Sequence, residues 1–230
     1  DLASLRSRLD HIDAMGADVV YLNPIPDALT NHKYDATDYR VIAPEFGDRD
    51  DLRALIDDVH ARDMKLMLDG VFNHTGRRSP RFIEASADES SEYRDWYTFD
   101  ERQPNGYKAW YDVANLPELD LENEEVRDYL WEDEDSVMKS FLADGADGWR
   151  LDVAYDIGFE YLRQLTQEAH EFKPGSAIIG EIWSYPEDWA HSVDGLMNFH
   201  LRAIVLTLAR GEIPGAHAGD MIETMVEDAG

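Results

Sequence analysis

Hydrophobic positions alternate between two spacings along this chain of 230 residues. Leu2, Leu5, Leu9 and Ile12 lie on one helical face, and Gly16 follows as a stop. Ala17–Leu22 is an apolar run ending at Asn23-Pro24, which predicts a buried strand. A loop is expected from Ile25 to Phe46. Leu52, Leu55, Ile56 and Val59 predict a second amphipathic helix, with Asp48 or Asp50 at its start. Lys65–Phe72 is the next predicted strand. From Thr75 to Asn115 the pattern turns irregular, polar and aromatic, too long for a plain connection, and an inserted small subdomain is expected there. Val126, Leu130, Val137 and Phe141 predict one long helix ending near Gly145. Gly148–Leu151 then reads as a strand. Phe159, Leu162, Leu165 and Phe172 form a helix that Pro174-Gly175 stops, and Ala177–Gly180 is a strand. Val193–Phe199 is expected as a fifth strand. Leu201, Ile204, Val205 and Leu208 give another helix, with a weaker one after Ile213.

Strands alternating with helices imply an α/β domain with a parallel sheet and helical crossovers. Periodicity leaves a doubly wound sheet and a (β/α)₈ barrel both open. Two features favour the barrel. Asp69, Asp152 and Glu181 close three different strands at their C-terminal ends, where barrel active sites are built. No glycine-rich nucleotide turn of the GxGxxG or P-loop kind is present. The expected organisation is a barrel segment over residues 1–74, an insertion over 75–115 and a second barrel segment over 116–230.

Composition narrows the partners. The formal net charge of −28 repels nucleic acid and anionic membranes. An aromatic share of 11% argues against a disordered acidic chain. The acids are spread along the sequence, as on the salt-tolerant surface of a halophilic protein. Cysteine is absent, which excludes disulfides, zinc–thiolate sites and a thiol nucleophile. No apolar run reaches membrane-spanning length. No signal peptide is visible and the chain opens directly on a helix pattern, so a piece of a longer, cytoplasmic rather than secreted protein is expected. Oligomeric state is left open.

The chemistry gathers around Gly148-Trp149-Arg150-Leu151-Asp152. Strand side chains alternate faces, so Arg150 and Asp152 point the same way. An arginine beside an aspartate is expected to keep the carboxylate ionised near neutral pH, and an oriented carboxylate at a strand end is a candidate nucleophile.

Three segments carry a family resemblance. Asp69-Gly70-Val71-Phe72-Asn73-His74, Gly148–Ala154 and Gly180-Glu181-Ile182-Trp183 resemble, in order and spacing, the first, second and third signatures of the α-amylase family of glycoside hydrolases. Asn31-His32-Lys33-Tyr34-Asp35 and Leu116-Pro117-Glu118-Leu119-Asp120 are similar to the cyclomaltodextrinase, neopullulanase and maltogenic amylase subgroup. Tyr155-Asp156 differs from the Asn-Glu of that subgroup. The resemblance implies a partial TIM (β/α)₈ barrel covering strands two to six, with its insertion after strand three. It also implies a retaining α-glucan hydrolase. The expected substrates are maltodextrins, cyclodextrins or pullulan, cleaved at α-1,4 or, secondarily, α-1,6 bonds through a glycosyl-aspartate. An α-glucosidase or transglycosylase of the same family, and a catalytically inert sugar- or partner-binding barrel, are the alternatives.

The resemblance assigns Asp152 as nucleophile, Glu181 as general acid then base, and Arg150 as the group that holds the nucleophile. Tyr34 and His74 would contact the sugar at the cleaved bond. Trp183 would form an apolar wall, a stacking face for the leaving sugar or plain core. Asp69 joins the substrate-binding set, chiefly by orienting Arg150. No cofactor is expected. Asn73 resembles a family calcium ligand, the one metal alternative, although Tyr155 stands where calcium-dependent members supply another ligand. The family's fourth signature, a His-Asp pair on the seventh strand, has no counterpart after Glu181, so the chain on its own is expected to be inactive.

Overall fold

The computed structural model describes residues 1–229. The chain opens on two short helices, α1 (Leu2–Arg6) and α2 (Leu9–Ala14), where a single helix was expected. The break falls at Ser7, whose hydroxyl donates to the Ser4 carbonyl 2.7 Å away and competes with the helical ladder. Strand β1 (Val19–Tyr21) is the middle of the predicted apolar run. The expected loop from Ile25 contains an antiparallel hairpin, β2 (Pro26–Ala28) and β3 (Ala36–Ile42), with shifts in its register. Pro26 at the strand edge and the irregular pairing hide it from a period-two pattern.

Helix α3 (Arg49–His60) starts where expected: Asp48 accepts from the Asp50 and Asp51 amides, with Asp51 reciprocating in a capping box. It buries Leu52, Leu55, Ile56 and Val59. Strand β4 (Lys65–Gly70) follows, and then the inserted segment. That segment carries α4 (Pro80–Ala87) and folds back on the end of β4, pairing Glu118 with His74. Aromatic rings fill its interior. Phe82 meets Tyr97 and Tyr107 edge-on at 4.9 and 4.8 Å.

The long helix expected over Val126–Phe141 is three pieces: α5 (Glu124–Arg127), a π turn (Asp128–Glu132) and α6 (Val137–Ala143). The acidic run Glu132-Asp133-Glu134-Asp135 interrupts it, and the Ser136 side chain caps the restart. After β5 (Gly148–Leu151) come α7 (Ala154–Ile157), α8 (Phe159–Phe172), β6 (Ala177–Gly180) and β7 (Gly195–Leu196). Strand β7 is only the centre of the predicted fifth strand, because α9 (Phe199–Ala209) already begins at Phe199; α10 (Gly215–Ala229) closes the order.

Five strands form one parallel sheet in the order β1-β4-β5-β6-β7. Every neighbour is the next strand of the sheet in sequence, with no reversal of order. A doubly wound sheet needs a reversal, whereas a barrel winds one way, so the expected curl of consecutive barrel strands is what forms. Gly148 is required by the close approach of β6, since a Cβ there would lie 2.1 Å from the Ala177 carbonyl oxygen.

Candidate active site

Parallel register assembles the site. Asp69 on β4 pairs with Arg150 on β5, and Leu151 pairs with Gly180 on β6. Asp152 and Glu181 each stand one residue beyond their strands. The ladder runs on past the strand ends, with the Asp152 amide donating to Gly70 and the Glu181 amide to Leu151, both at 3.0 Å. Asp152 and Glu181 therefore stand side by side, with Asp69 level with Arg150 two residues below them.

Arg150 binds all three. Its Nη1 donates to both Asp69 oxygens at 2.9 and 3.0 Å and to Asp152 Oδ1 at 3.0 Å. Its Nη2 lies 2.5 Å from Glu181 Oε2. The Nε donates to Met197 Sδ at 3.3 Å. Burial works against the guanidinium charge, but Asp69 and the other anions around it outweigh burial and hold Arg150 above its usual range.

One arginine cannot neutralise three carboxylates. The expectation that Arg150 keeps Asp152 ionised at neutral pH is corrected here: burial first, then the Asp69 charge, push the Asp152 carboxyl up to about 7 despite Arg150. Burial likewise raises Asp69.

Asp69, placed in the substrate-binding set chiefly for orienting Arg150, has a fully covered side chain (0% exposed). It lies beneath the cleft and holds Arg150, while the Tyr21 and Tyr34 hydroxyls donate to its Oδ2, that of Tyr34 at 3.2 Å. Tyr34 is carried by a loop that Asp35 secures, through Thr30 and through the Asn115 amide at 2.8 Å.

A cleft of about 1070 Å³ opens over these groups, and Tyr34, His74, Arg150, Asp152, Glu181 and Trp183 all line it. His74 is 1% exposed, and its ring lies stacked against Trp110 with centroids 5.9 Å apart. Its Nε2 is buried without a partner. Burial lowers the His74 pKa to about 4, so the imidazole is neutral at neutral pH. Trp183 is 64% exposed, which removes the core-packing alternative, and its Nε1 donates to Glu181 Oε1 at 3.2 Å. Asn73 is buried with its amide 3.4 Å from His74 Nδ1. Among the described residues no group of three or more His, Asp or Glu side chains is placed to hold a metal ion.

Several site residues carried no readable signal in the sequence. Val153, directly after Asp152, adopts a left-handed backbone (φ 49°, ψ 37°) that β-branched residues avoid. This turn aims its amide at Glu181 Oε2, 3.4 Å away. Tyr21, Met197 and Trp110 reach the site only through tertiary folding. Tyr21 had the faintest cue, a hydroxyl on the face of β1 that alternation assigns.

Residues 1–225 match the family described as alpha amylase, catalytic domain. The chain is 34% identical over 215 residues to a cyclomaltodextrinase from Bacillus sp, covering 90% of this chain and 38% of that protein. It is 37% identical over 193 residues to the intracellular maltogenic amylase of Bacillus subtilis, covering 82% of this chain and 32% of that protein. Its fold superposes on the cyclic alpha-maltosyl-(1-->6)-maltose hydrolase of Arthrobacter globiformis, solved in complex with maltose, with a TM-score of 0.92 at 30% identity over 99% of this chain and 53% of that one. The chain thus spans a third to two fifths of the length of these curated relatives.

Proposed function

The chain belongs to the alpha-amylase family of catalytic domains, and from that premise we propose that the full-length protein is a retaining α-glucan hydrolase acting on maltodextrins, cyclodextrins or pullulan. The observation that carries this reading is the Arg150 clamp, which sets Asp152 and Glu181 side by side at the ends of adjacent strands under one open cleft. Retaining glycosidases need such a close pair, one carboxylate to attack and one carboxylic acid to protonate.

The steps follow from the residues. Ionised Asp152 attacks the anomeric carbon, and the carbon–oxygen bond to the leaving sugar breaks as Glu181 delivers its proton to that oxygen. Glu181 then takes a proton from water, whose oxygen displaces Asp152 from the glycosyl-enzyme. Arg150 holds both carboxylates and Asp69 holds Arg150. Val153 offers its amide to Glu181. The unpartnered Nε2 of His74 is available to a sugar hydroxyl, and the Tyr34 ring forms a wall of the same part of the cleft. The intracellular relative from Bacillus subtilis supports a cytoplasmic location.

The test is the anomeric form of the first product. Proton NMR during hydrolysis of a cyclodextrin, which has no reducing end of its own, by the full-length protein is expected to show the α-anomer first, with the β-anomer appearing only by mutarotation. Initial release of the β-anomer would overturn the double-displacement reading.

A further inference from the structure

Tyr155 is the position where the sequence departs from its subgroup, and the site described so far leaves it without a role. It stands three residues beyond Asp152 and lines the cleft. Its ring is 57% exposed, and yet it is braced. It lies 5.4 Å from the Trp189 ring, and Trp189, itself buried, is stacked on Phe159 at 4.0 Å and 24°. Three rings in series brace an exposed aromatic ring that lines the cleft. Core packing does not explain a ring left this exposed, and a surface tyrosine does not need such a support.

The brace also fixes the side. Trp189 belongs to the segment between β6 and β7, after Glu181, so Tyr155 leans to the Glu181 side of Asp152. Tyr34 stands on the opposite side, against Asp69. The general acid protonates the departing oxygen, so the sugar on its side is the leaving one. We infer that Tyr155 is a stacking platform for the leaving-group sugar and sets how strongly the protein favours substrates that carry one there. This inference rests on the hydrolase reading above. A glucose ring presents a C–H face that matches a rigid aromatic plane, and a pre-positioned ring loses little conformational freedom on binding.

The experiment compares two donors in the full-length protein. Maltotriose has a sugar in the leaving position; α-maltosyl fluoride places only fluoride there. Tyr155→Ala is expected to lower the ratio of kcat/KM for maltotriose to that for α-maltosyl fluoride by about five- to tenfold, and Tyr155→Phe to keep it. The reading is overturned if the Ala variant keeps the native ratio within twofold, or if Phe loses as much as Ala. Melting temperatures of both variants equal to the native value show that the exposed ring is not a fold determinant. Native protein that turns over neither donor refutes the hydrolase reading itself, an outcome distinct from a ratio that does not move.

Discussion

Asp152→Asn separates the two demands placed on one residue. At high pH the native protein keeps an anion at Asp152 in a covered cluster already holding Asp69 and Glu181 against a single Arg150. The folded carboxyl titrates at about 7 against an ordinary value of 3.8, about three units apart. At about 1.4 kcal/mol per unit, the ionised group destabilises the fold by at most about 4 kcal/mol. Side-chain relaxation and water in the cleft lower that ceiling, so about 1–3 kcal/mol is expected. The sign follows from proton counting. Between pH 3.8 and about 7 the unfolded chain has released this proton while the folded one retains it, so native stability falls as pH rises and levels off above 7. Asparagine has no such penalty. The variant is therefore expected to melt at the native temperature near pH 4 and a few degrees higher at pH 8, at about 2–4 °C per kcal/mol for a domain of this size. Hydrolysis of maltotriose should be lost at both pH values, while native activity should rise with pH as Asp152 ionises and fall again where Glu181 loses the proton it must deliver. Thermal unfolding at pH 4, 6 and 8 with parallel sugar-release assays is the measurement. A variant less stable than native protein at pH 8, or equally shifted at pH 4 and 8, would refute the argument that burial and like charge dominate this site.

Glu181→Gln is expected to cut turnover of maltotriose by about 10²–10⁴-fold and that of α-maltosyl fluoride far less, because fluoride departs without a proton; equal losses in steady-state kinetics would remove Glu181 from the acid role. Arg150→Leu leaves three carboxylates without their shared cation and is expected to cost about 3–5 kcal/mol in urea unfolding at pH 8; a loss below 1 kcal/mol would show the clamp to be dispensable. The net charge of −28 predicts a melting temperature that rises from dilute buffer into molar potassium chloride, where the screening length falls to about 3 Å, and an unchanged value would contradict self-repulsion. The 230 residues expressed alone present an open five-strand sheet with β1 and β7 as unpaired edges, and reducing-sugar assays should find no turnover comparable with the full-length protein.

Much of this protein is local in origin and was legible in the sequence. Five strands follow from short apolar runs set between amphipathic helices. The common face of Arg150 and Asp152 follows from the two-residue repeat of a strand. Acids at three strand ends pointed to the rim of a barrel before any distance was known. The start of α3 was readable too, because a capping aspartate acts within one turn.

What the sequence left open depends on sums over distant groups. Whether Asp152 is charged depends on Asp69 and Glu181, which lie 83 and 29 residues away and reach it only through the register of β4, β5 and β6. The arginine that reads as a neutralising neighbour is shared three ways once those strands pair. The left-handed turn at Val153 violates a local preference and persists because strand pairing on one side and Glu181 on the other hold it. Tyr155 and Trp189 are unremarkable letters 34 positions apart until β6 and its following loop bring one ring against the other. Periodicity is a property of the backbone over a few residues, and the sequence therefore determines it. Burial and electrostatic field are properties of everything within several ångströms, and only the folded chain sets which residues those are.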